Sequence, residues 1–133
     1  MAGFEFRAPA RILTGSGAAL GVGAALHATG VRHVLVVSDT FILAGHAARA
    51  VVAALTDSGI RVTVFDRIDG EPTVRVVEAA HAAAIGAGVD GIVGLGGGSA
   101  MDIAKAVAIL ATHGGPLVRF EGADRVPPGR LPL

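Results

Sequence analysis

The sequence predicts an α/β fold built on a doubly wound, mostly parallel sheet. Short apolar runs alternate along the chain with longer segments of helical periodicity, which is the pattern of βαβ units. Glycines follow the predicted helices, where the chain must reverse direction. The chain has 133 residues, of which 52% are hydrophobic, so it can form one domain with its own core.

The first elements are expected to be extended. Phe4–Arg7 and Arg11–Leu13 are short extended pieces on either side of Pro9, and together they predict a short N-terminal β-hairpin. A helix is expected from Ala18 to Ala28, and it ends before Gly30, a favourable residue for a helix C-terminus.

The apolar run Val34–Val37 predicts a buried parallel strand, and Asp39 follows at its carboxyl end. In open α/β sheets this edge faces the ligand crevice. A carboxylate there can accept hydrogen bonds from both hydroxyls of an adenosine ribose, and it would repel a 2′-phosphate. A turn or helix-capping role for Asp39 is an equal alternative.

Two further helices and a strand are expected after Asp39. A helix from Ala44 to Ser58 ends at Gly59, and Ile60–Phe65 forms the next strand. After a loop, Thr73 caps a helix that runs to about Ala87 and ends at Gly88. The inner face of this helix is expected to carry Val74, Val77, Ala80 and Ala84. The segment 115–130 is expected to be irregular.

The stretch from Asp90 to Thr112, DGIVGLGGGSAMDIAKAVAILAT, organises the chain. A buried strand leads into Gly96, Gly97 and Gly98, and a helix follows with Ser99 as its expected N-cap and Asp102 in reach of the cap amide.

The free amides and the dipole of a helix start attract anions, and glycine lets a phosphate approach the backbone. We therefore expect a dinucleotide pyrophosphate at this turn. A tight connection without a ligand is the alternative, since neither the G-x-G-x-x-G nor the G-x-x-x-x-G-K-[ST] spacing is present.

The longer string GLGGGSAMDIAKAVA resembles the GGGSxxDxAK signature of the iron-containing (group III) alcohol dehydrogenases, which are related to glycerol dehydrogenase and dehydroquinate synthase. The segments FEFRAPARILTGSGAALGVG, VVSDT and LATHGGPLVRFEG extend the resemblance over nearly the whole chain. It implies a Rossmann-like, dehydroquinate synthase-like N-terminal domain that binds NAD rather than NADP, with Asp39 at the ribose. It also implies that Asp102 lies near the cofactor, whereas a surface ion pair between Asp102 and Lys105 is the alternative.

In that family Fe²⁺ polarises the substrate oxygen, and its ligands belong to a helical C-terminal domain that this sequence does not contain. The five histidines stand at positions 27, 33, 46, 81 and 113, and no two have the i, i+4 spacing of ligands on one helix face. We therefore expect no metal ligand and no catalytic residue. Residues 1–133 are interpreted as a truncated dinucleotide-binding domain that binds dinucleotide weakly, if at all, and does not catalyse.

The resemblance implies the cofactor-binding part of an NAD-dependent, iron-dependent alcohol dehydrogenase, which interconverts alcohols with aldehydes or ketones and forms a homodimer or larger oligomer at full length. A fragment of a glycerol dehydrogenase-like or dehydroquinate synthase-like enzyme is one alternative, and a non-catalytic nucleotide-binding module is another.

The composition argues against nucleic acid and membranes as partners. The formal net charge is zero and the chain has no tryptophan or tyrosine, so nucleic acid is not an expected partner. No apolar run reaches the roughly 20 residues that span a bilayer, so no membrane partner is expected either. A chain without cysteine has no disulfides, and a cytoplasmic location is the default expectation.

Overall fold

A computed structural model of the protein describes Pro9 and residues 11–133. Its centre is a parallel sheet of three strands: β1 (His33–Val37), β2 (Arg61–Phe65) and β3 (Gly91–Gly94). The strand order is β2-β1-β3, so β1 lies between the other two. Val37 pairs with Phe65 on one side and with Gly94 on the other, and the three strands therefore end together at one edge.

Helices cover both faces of the sheet. On one face, α1 (Val22–Ala28), which follows a 3-10 turn at Ala18–Gly21, packs against α3 (His46–Asp57); α2 (Thr40–Ala44) connects β1 to α3. On the other face, α4 (Val74–Ala87) packs against α5 (Gly98–His113), and a 3-10 turn at Leu117–Phe120 follows. The predicted α/β fold with a doubly wound parallel sheet is confirmed.

The strand β1 divides the core in two because successive side chains of a strand point to opposite faces. Val34 and Val36 pack with residues of α1 and α3, including Leu26 and Leu55. Leu35 and Val37 pack on the other side with residues of α4 and α5, including Val77, Ile103 and Val107. Both faces of β1 are fully buried, as expected of a central parallel strand.

Local signals set the ends of α4 as predicted. The Thr73 hydroxyl accepts a hydrogen bond from the Val76 amide at 3.3 Å, and Gly88 follows the last turn with φ of 64°. A left-handed residue at this position suits glycine, which has no Cβ to collide with the backbone. The inner face is formed by Val77, Ala80 and Ala84, but the expectation for Val74 is wrong, because it is 56% exposed in the first turn.

Three other expectations about the elements need correction. The helix predicted from Ala44 to Ser58 is α3, which begins two residues later, at His46, and a short helix that was not predicted, α2, precedes it because Asp39 caps a helix of its own and Gly45 is extended between them. The N-terminal hairpin is not confirmed: Phe4–Arg7 lies outside the described residues, and Arg11–Leu13 forms no strand. The segment predicted to be irregular includes the 3-10 turn Leu117–Phe120.

The last described residues run beside β3. The Ile92 amide donates a hydrogen bond of 2.8 Å to the Pro132 carbonyl, on the edge of β3 that faces away from β1, and the Leu131 amide donates to the Thr112 hydroxyl. Within the part of the chain that the structure describes, no helix is long and apolar enough to cross a lipid bilayer.

Candidate functional site

A cleft of about 360 Å³ opens at the carboxyl edge of the sheet. The loops after all three strands contribute to its lining. The lining residues are Asp39, Thr40 and Phe41 after β1, Ile68 and Gly70 after β2, and Gly97, Gly98, Ser99 and Ala100 after β3. Four of the predicted site residues, namely Asp39, Gly97, Gly98 and Ser99, thus lie around one space. It is the edge where ligands bind in open α/β sheets.

The start of α5 forms one wall of the cleft. Gly97 is the N-cap, with an extended backbone and no side-chain capping bond. The first backbone bond of the helix runs from the Met101 amide to the Gly97 carbonyl at 3.1 Å. The amides of Gly98, Ser99 and Ala100 precede this bond, so they have no acceptor within the helix, and they concentrate the positive end of the helix dipole at the cleft.

The expectation that Ser99 caps this helix is wrong. The helix begins at Gly98, so Ser99 is its second residue and contributes a backbone amide rather than a capping hydroxyl. This earlier start also places Asp102 in the second turn, where its carboxylate is too far along the helix to reach the cap amide. A cap without a side chain leaves all the first amides available to a ligand.

The three glycines of the turn have different roles. Gly96 has φ of 141°, a backbone conformation that favours glycine, and a Cβ there would lie 3.4 Å from the Cβ of Ala100. A Cβ on Gly97 or Gly98 would meet no atom within 4 Å. Since both residues line the cleft, side chains there would fill the space from which a ligand approaches the amides. Gly96 makes the turn, and Gly97 and Gly98 keep it open.

Asp39 lies on the opposite wall and is half-buried. Its Oδ1 accepts a hydrogen bond of 2.8 Å from the Ile42 amide, which makes Asp39 the N-cap of α2. Its Oδ2 lies toward Gly96, 4.0 Å from the position of a Cβ on that glycine. Among the described residues, no hydrogen bond to Oδ2 is formed. The capping role is therefore real, and it leaves one carboxylate oxygen for a ligand.

Ser38, which no sequence pattern singled out, lies between these two walls and is fully buried. Its hydroxyl donates a hydrogen bond of 2.6 Å to the Leu95 carbonyl, and its amide donates to the Phe65 carbonyl at 3.0 Å. It therefore joins the ends of all three strands. The sequence did offer one indication of this role, a serine directly after a run of buried apolar residues. A hydroxyl in such a position is expected to be buried, and a buried hydroxyl requires a hydrogen-bond partner.

Asp102 does not lie in this cleft. Its side chain is 62% exposed and forms an ion pair of 3.2 Å with Lys105, one turn along α5. It lines a different depression, between α4, α5 and the 3-10 turn that follows α5. The surface ion pair that the sequence allowed as an alternative is therefore present. Such exposed pairs contribute only a few tenths of a kcal/mol.

Comparison with known proteins identifies the family. The sequence profile described as iron-containing alcohol dehydrogenase matches residues 9–133. The chain belongs to this family.

Relatives and solved structures agree with this assignment. A choline dehydrogenase of Bacillus subtilis (strain 168) is 36% identical over 128 residues, which cover 96% of this chain and 31% of the relative. The crystal structure of a 1,3-propanediol oxidoreductase matches with a TM-score of 0.84 and 29% identity, over 87% of this chain and 30% of that chain. An NADH-dependent butanol dehydrogenase A of Thermotoga maritima matches with a TM-score of 0.81 and 29% identity, over 90% of this chain and 30% of that chain.

The chain thus spans about a third of the length of the relatives that it matches. In the described part of this iron-containing alcohol dehydrogenase family member, no group of three or more histidine, aspartate or glutamate side chains could hold a metal ion. Two of the histidines have other partners: the Nε2 of His33 contacts the Thr63 hydroxyl at 2.8 Å, and the Nε2 of His113 contacts the Gly129 carbonyl at 2.7 Å.

Proposed function

We propose that this chain is the cofactor-binding part of an NAD-dependent, iron-dependent alcohol dehydrogenase that interconverts alcohols with aldehydes or ketones. The observation that carries the proposal is the cleft, which has a carboxylate on one wall and a helix start on the other. NAD presents a ribose with two free hydroxyls beside a pyrophosphate with two negative charges. The similar 1,3-propanediol oxidoreductase and NADH-dependent butanol dehydrogenase A support the same reaction class.

The pyrophosphate is assigned to the start of α5. The amides of Gly98, Ser99 and Ala100 donate to its oxygens, and the helix dipole adds about half a positive charge there. Gly97 and Gly98 allow this approach because no side chain stands over the amides. The described lining of the cleft contains no lysine or arginine, so backbone groups supply the attraction.

The adenosine ribose is assigned to Asp39. Its Oδ2 accepts hydrogen bonds from the ribose hydroxyls, while Oδ1 stays bonded to the Ile42 amide. The same carboxylate repels the 2′-phosphate of NADP, which gives the preference for NAD. Asp102 is a weaker candidate for cofactor contact, since its carboxylate is paired with Lys105 outside the cleft.

When bound in the complete enzyme, NAD would supply hydride-transfer chemistry, and Fe²⁺ would supply Lewis-acid polarisation of the substrate oxygen. The described residues hold and orient the dinucleotide, and none is assigned as a catalytic acid or base. We propose that the iron ligands belong to a helical domain of the complete enzyme, as the resemblance implies. We further propose that the whole enzyme is a homodimer or larger oligomer, as the resemblance implies, and that it is cytoplasmic, the default location for a chain without cysteine.

Gly97→Val tests the assignment of the pyrophosphate. The backbone of Gly97 is extended, with φ of −84° and ψ of −165°, so valine is tolerated there while its side chain fills the cleft. Titration of NAD followed by NMR, which detects weak binding, should show at least about a tenfold loss of affinity. Gly86→Val on α4 is the matched control, because Gly86 is also exposed and surrounded by open space but lies outside the cleft. Equal NAD affinity in the two variants would disprove the assignment.

A further inference from the structure

Ser38 occupies the point where the two walls of the cleft meet. It directly precedes Asp39, which carries the ribose-facing carboxylate, and its bonding partner Leu95 directly precedes Gly96, which begins the glycine turn. The hydroxyl-to-carbonyl distance of 2.6 Å is short for such a bond, and the serine is fully buried. One hydrogen bond thus links the residues that lead into the two walls.

The backbone pairing of the strands stops just before this bond. The Leu95 amide donates to the Val37 carbonyl at 2.9 Å, and among the described residues this is the last backbone hydrogen bond between the chain segments of β1 and β3. Beyond it the chains diverge, one into α2 and the other through the glycine turn into α5. The Ser38 hydroxyl extends the connection by one step, and its amide bond to the Phe65 carbonyl adds β2.

We propose that Ser38 is a positioning residue that sets the separation between the ribose site at Asp39 and the anion site at the start of α5. The inference rests on the proposed function. A ligand that carries both a ribose and a diphosphate can contact both sites at once only when the distance between the sites matches the distance between its two groups. Only then does the second contact add to its affinity. Ser38 therefore favours ligands that bridge the cleft, and it leaves the affinity of each half-site for its own fragment nearly unchanged.

Substitution of Ser38 should affect ligands differently if the residue positions the two sites than if it only stabilises the fold. In Ser38→Ala, ADP, which bridges the sites, should bind about tenfold more weakly than in the wild-type protein. Adenosine, which carries the ribose but no phosphate, and inorganic pyrophosphate should each bind to Ser38→Ala within about twofold of their affinity for the wild-type protein. The diagnostic quantity, called the ADP ratio below, is the affinity for ADP divided by the affinity for adenosine or for pyrophosphate. All three affinities are measured by NMR titration of the purified protein.

Ser58→Ala is the matched control. It removes the same kind of group, a serine hydroxyl bonded to a backbone carbonyl at 2.8 Å, from the C-cap of α3, three residues before β2 begins and so at the opposite edge of the sheet. It should leave the ADP ratio unchanged. Should Ser38→Ala fail to fold, Ser38→Cys keeps a side chain of similar size with a weaker donor, and it should bind ADP less tightly, relative to adenosine and pyrophosphate, than the wild-type protein does.

The outcomes separate the inference from the proposed function. If the wild-type protein binds ADP no better than adenosine or pyrophosphate, the cleft does not join a ribose site to an anion site, and both are overturned. If the wild-type protein prefers ADP and the Ser38 variants keep that preference in full, the positioning role alone is overturned. An equal loss for all three ligands would also contradict positioning, because it would indicate general damage to the fold.

Discussion

The Oδ1 atom of Asp39 accepts a hydrogen bond of 2.8 Å from the amide of Ile42, so the residue proposed to hold the ribose also starts α2. A helix N-cap requires an oxygen acceptor but no negative charge. Repulsion of a 2′-phosphate requires the charge itself. The two roles of Asp39 can therefore be separated by substitution.

Asp39→Asn should keep the cap and lose the charge. We expect nearly unchanged stability and an increase of about tenfold in the affinity for NADP relative to NAD. Asp39→Ala should raise the NADP preference in the same way but also destabilise the protein by about 1 kcal/mol, because the Ile42 amide loses its partner. Denaturant unfolding and titration with both dinucleotides check the two effects. An unchanged NADP-to-NAD ratio in both variants would remove Asp39 from the ribose site.

Gly23 permits the close approach of α1 to α3. A Cβ on Gly23 would lie 2.3 Å from the carbonyl oxygen of Ala54 and 2.5 Å from the Ser58 hydroxyl oxygen. Gly23→Ala should therefore force the helices apart and destabilise the protein by about 1–3 kcal/mol. Gly21→Ala is the control, because a Cβ on Gly21 meets no atom within 4 Å and its φ is −77°. Urea unfolding that gives equal stabilities for the two variants would contradict this packing.

Gly96 and Gly97 are adjacent but should respond differently to alanine. Gly96→Ala places a side chain on a backbone with φ of 141°, and we expect a loss of stability of about 1–3 kcal/mol. Gly97→Ala involves no such strain and should cost less stability than Gly96→Ala, since alanine is only a poorer N-cap than glycine, while it weakens NAD binding because the added methyl group enters the cleft. Thermal unfolding and NAD titration of both variants separate backbone strain from ligand obstruction. A larger loss of stability in Gly97→Ala, together with weaker NAD binding only in Gly96→Ala, would contradict the roles assigned to the two glycines.

Asp90 ties the amino ends of β1 and β3 together. Its carboxylate accepts hydrogen bonds from the His33 amide at 2.8 Å and from the Arg32 amide at 3.0 and 3.1 Å. Burial alone would raise the pKa of Asp90, but these amide bonds, together with the charge of His33, lower the pKa below its ordinary value.

A lowered pKa in the folded state means that the Asp90 carboxylate stabilises the protein above the pKa of the unfolded chain. This contribution is lost as the pH falls below about 4 and passes through the lower pKa of the folded state. Asp90→Asn should be less stable than the wild type at pH 7, and the difference should shrink as the pH falls. Unfolding free energies measured between pH 7 and pH 3 provide the test. A difference that stays constant over this range would rule out the carboxylate as its source.

Much of the fold could be predicted because its signals are local. β1 and β3 contain short buried apolar runs, and β2 is a run rich in β-branched residues that ends at the buried Phe65. The helix ends at Thr73 and Gly88 depend on torsion angles and on bonds only a few residues apart. The glycine turn was recognised for the same reason. The first residue of α5 could not be predicted in this way, because Gly97 and Ser99 are both acceptable N-caps. The choice between them depends on how the turn packs against Ala100 and Ile42.

The sequence by itself determined the three strands and the longer helices, and it placed a carboxylate and a glycine turn after two of the strands. Only the tertiary structure decided that β1 lies between β2 and β3, that Asp39 and Gly97 border one cleft, and that Ser38 bonds to Leu95 across 57 residues of chain. It also decided that Asp102 pairs with Lys105 outside the cleft. The physical reason is that hydrophobic patterns and capping bonds act over a few residues, whereas the meeting of loops depends on strand order and register, which arise from contacts between distant parts of the chain.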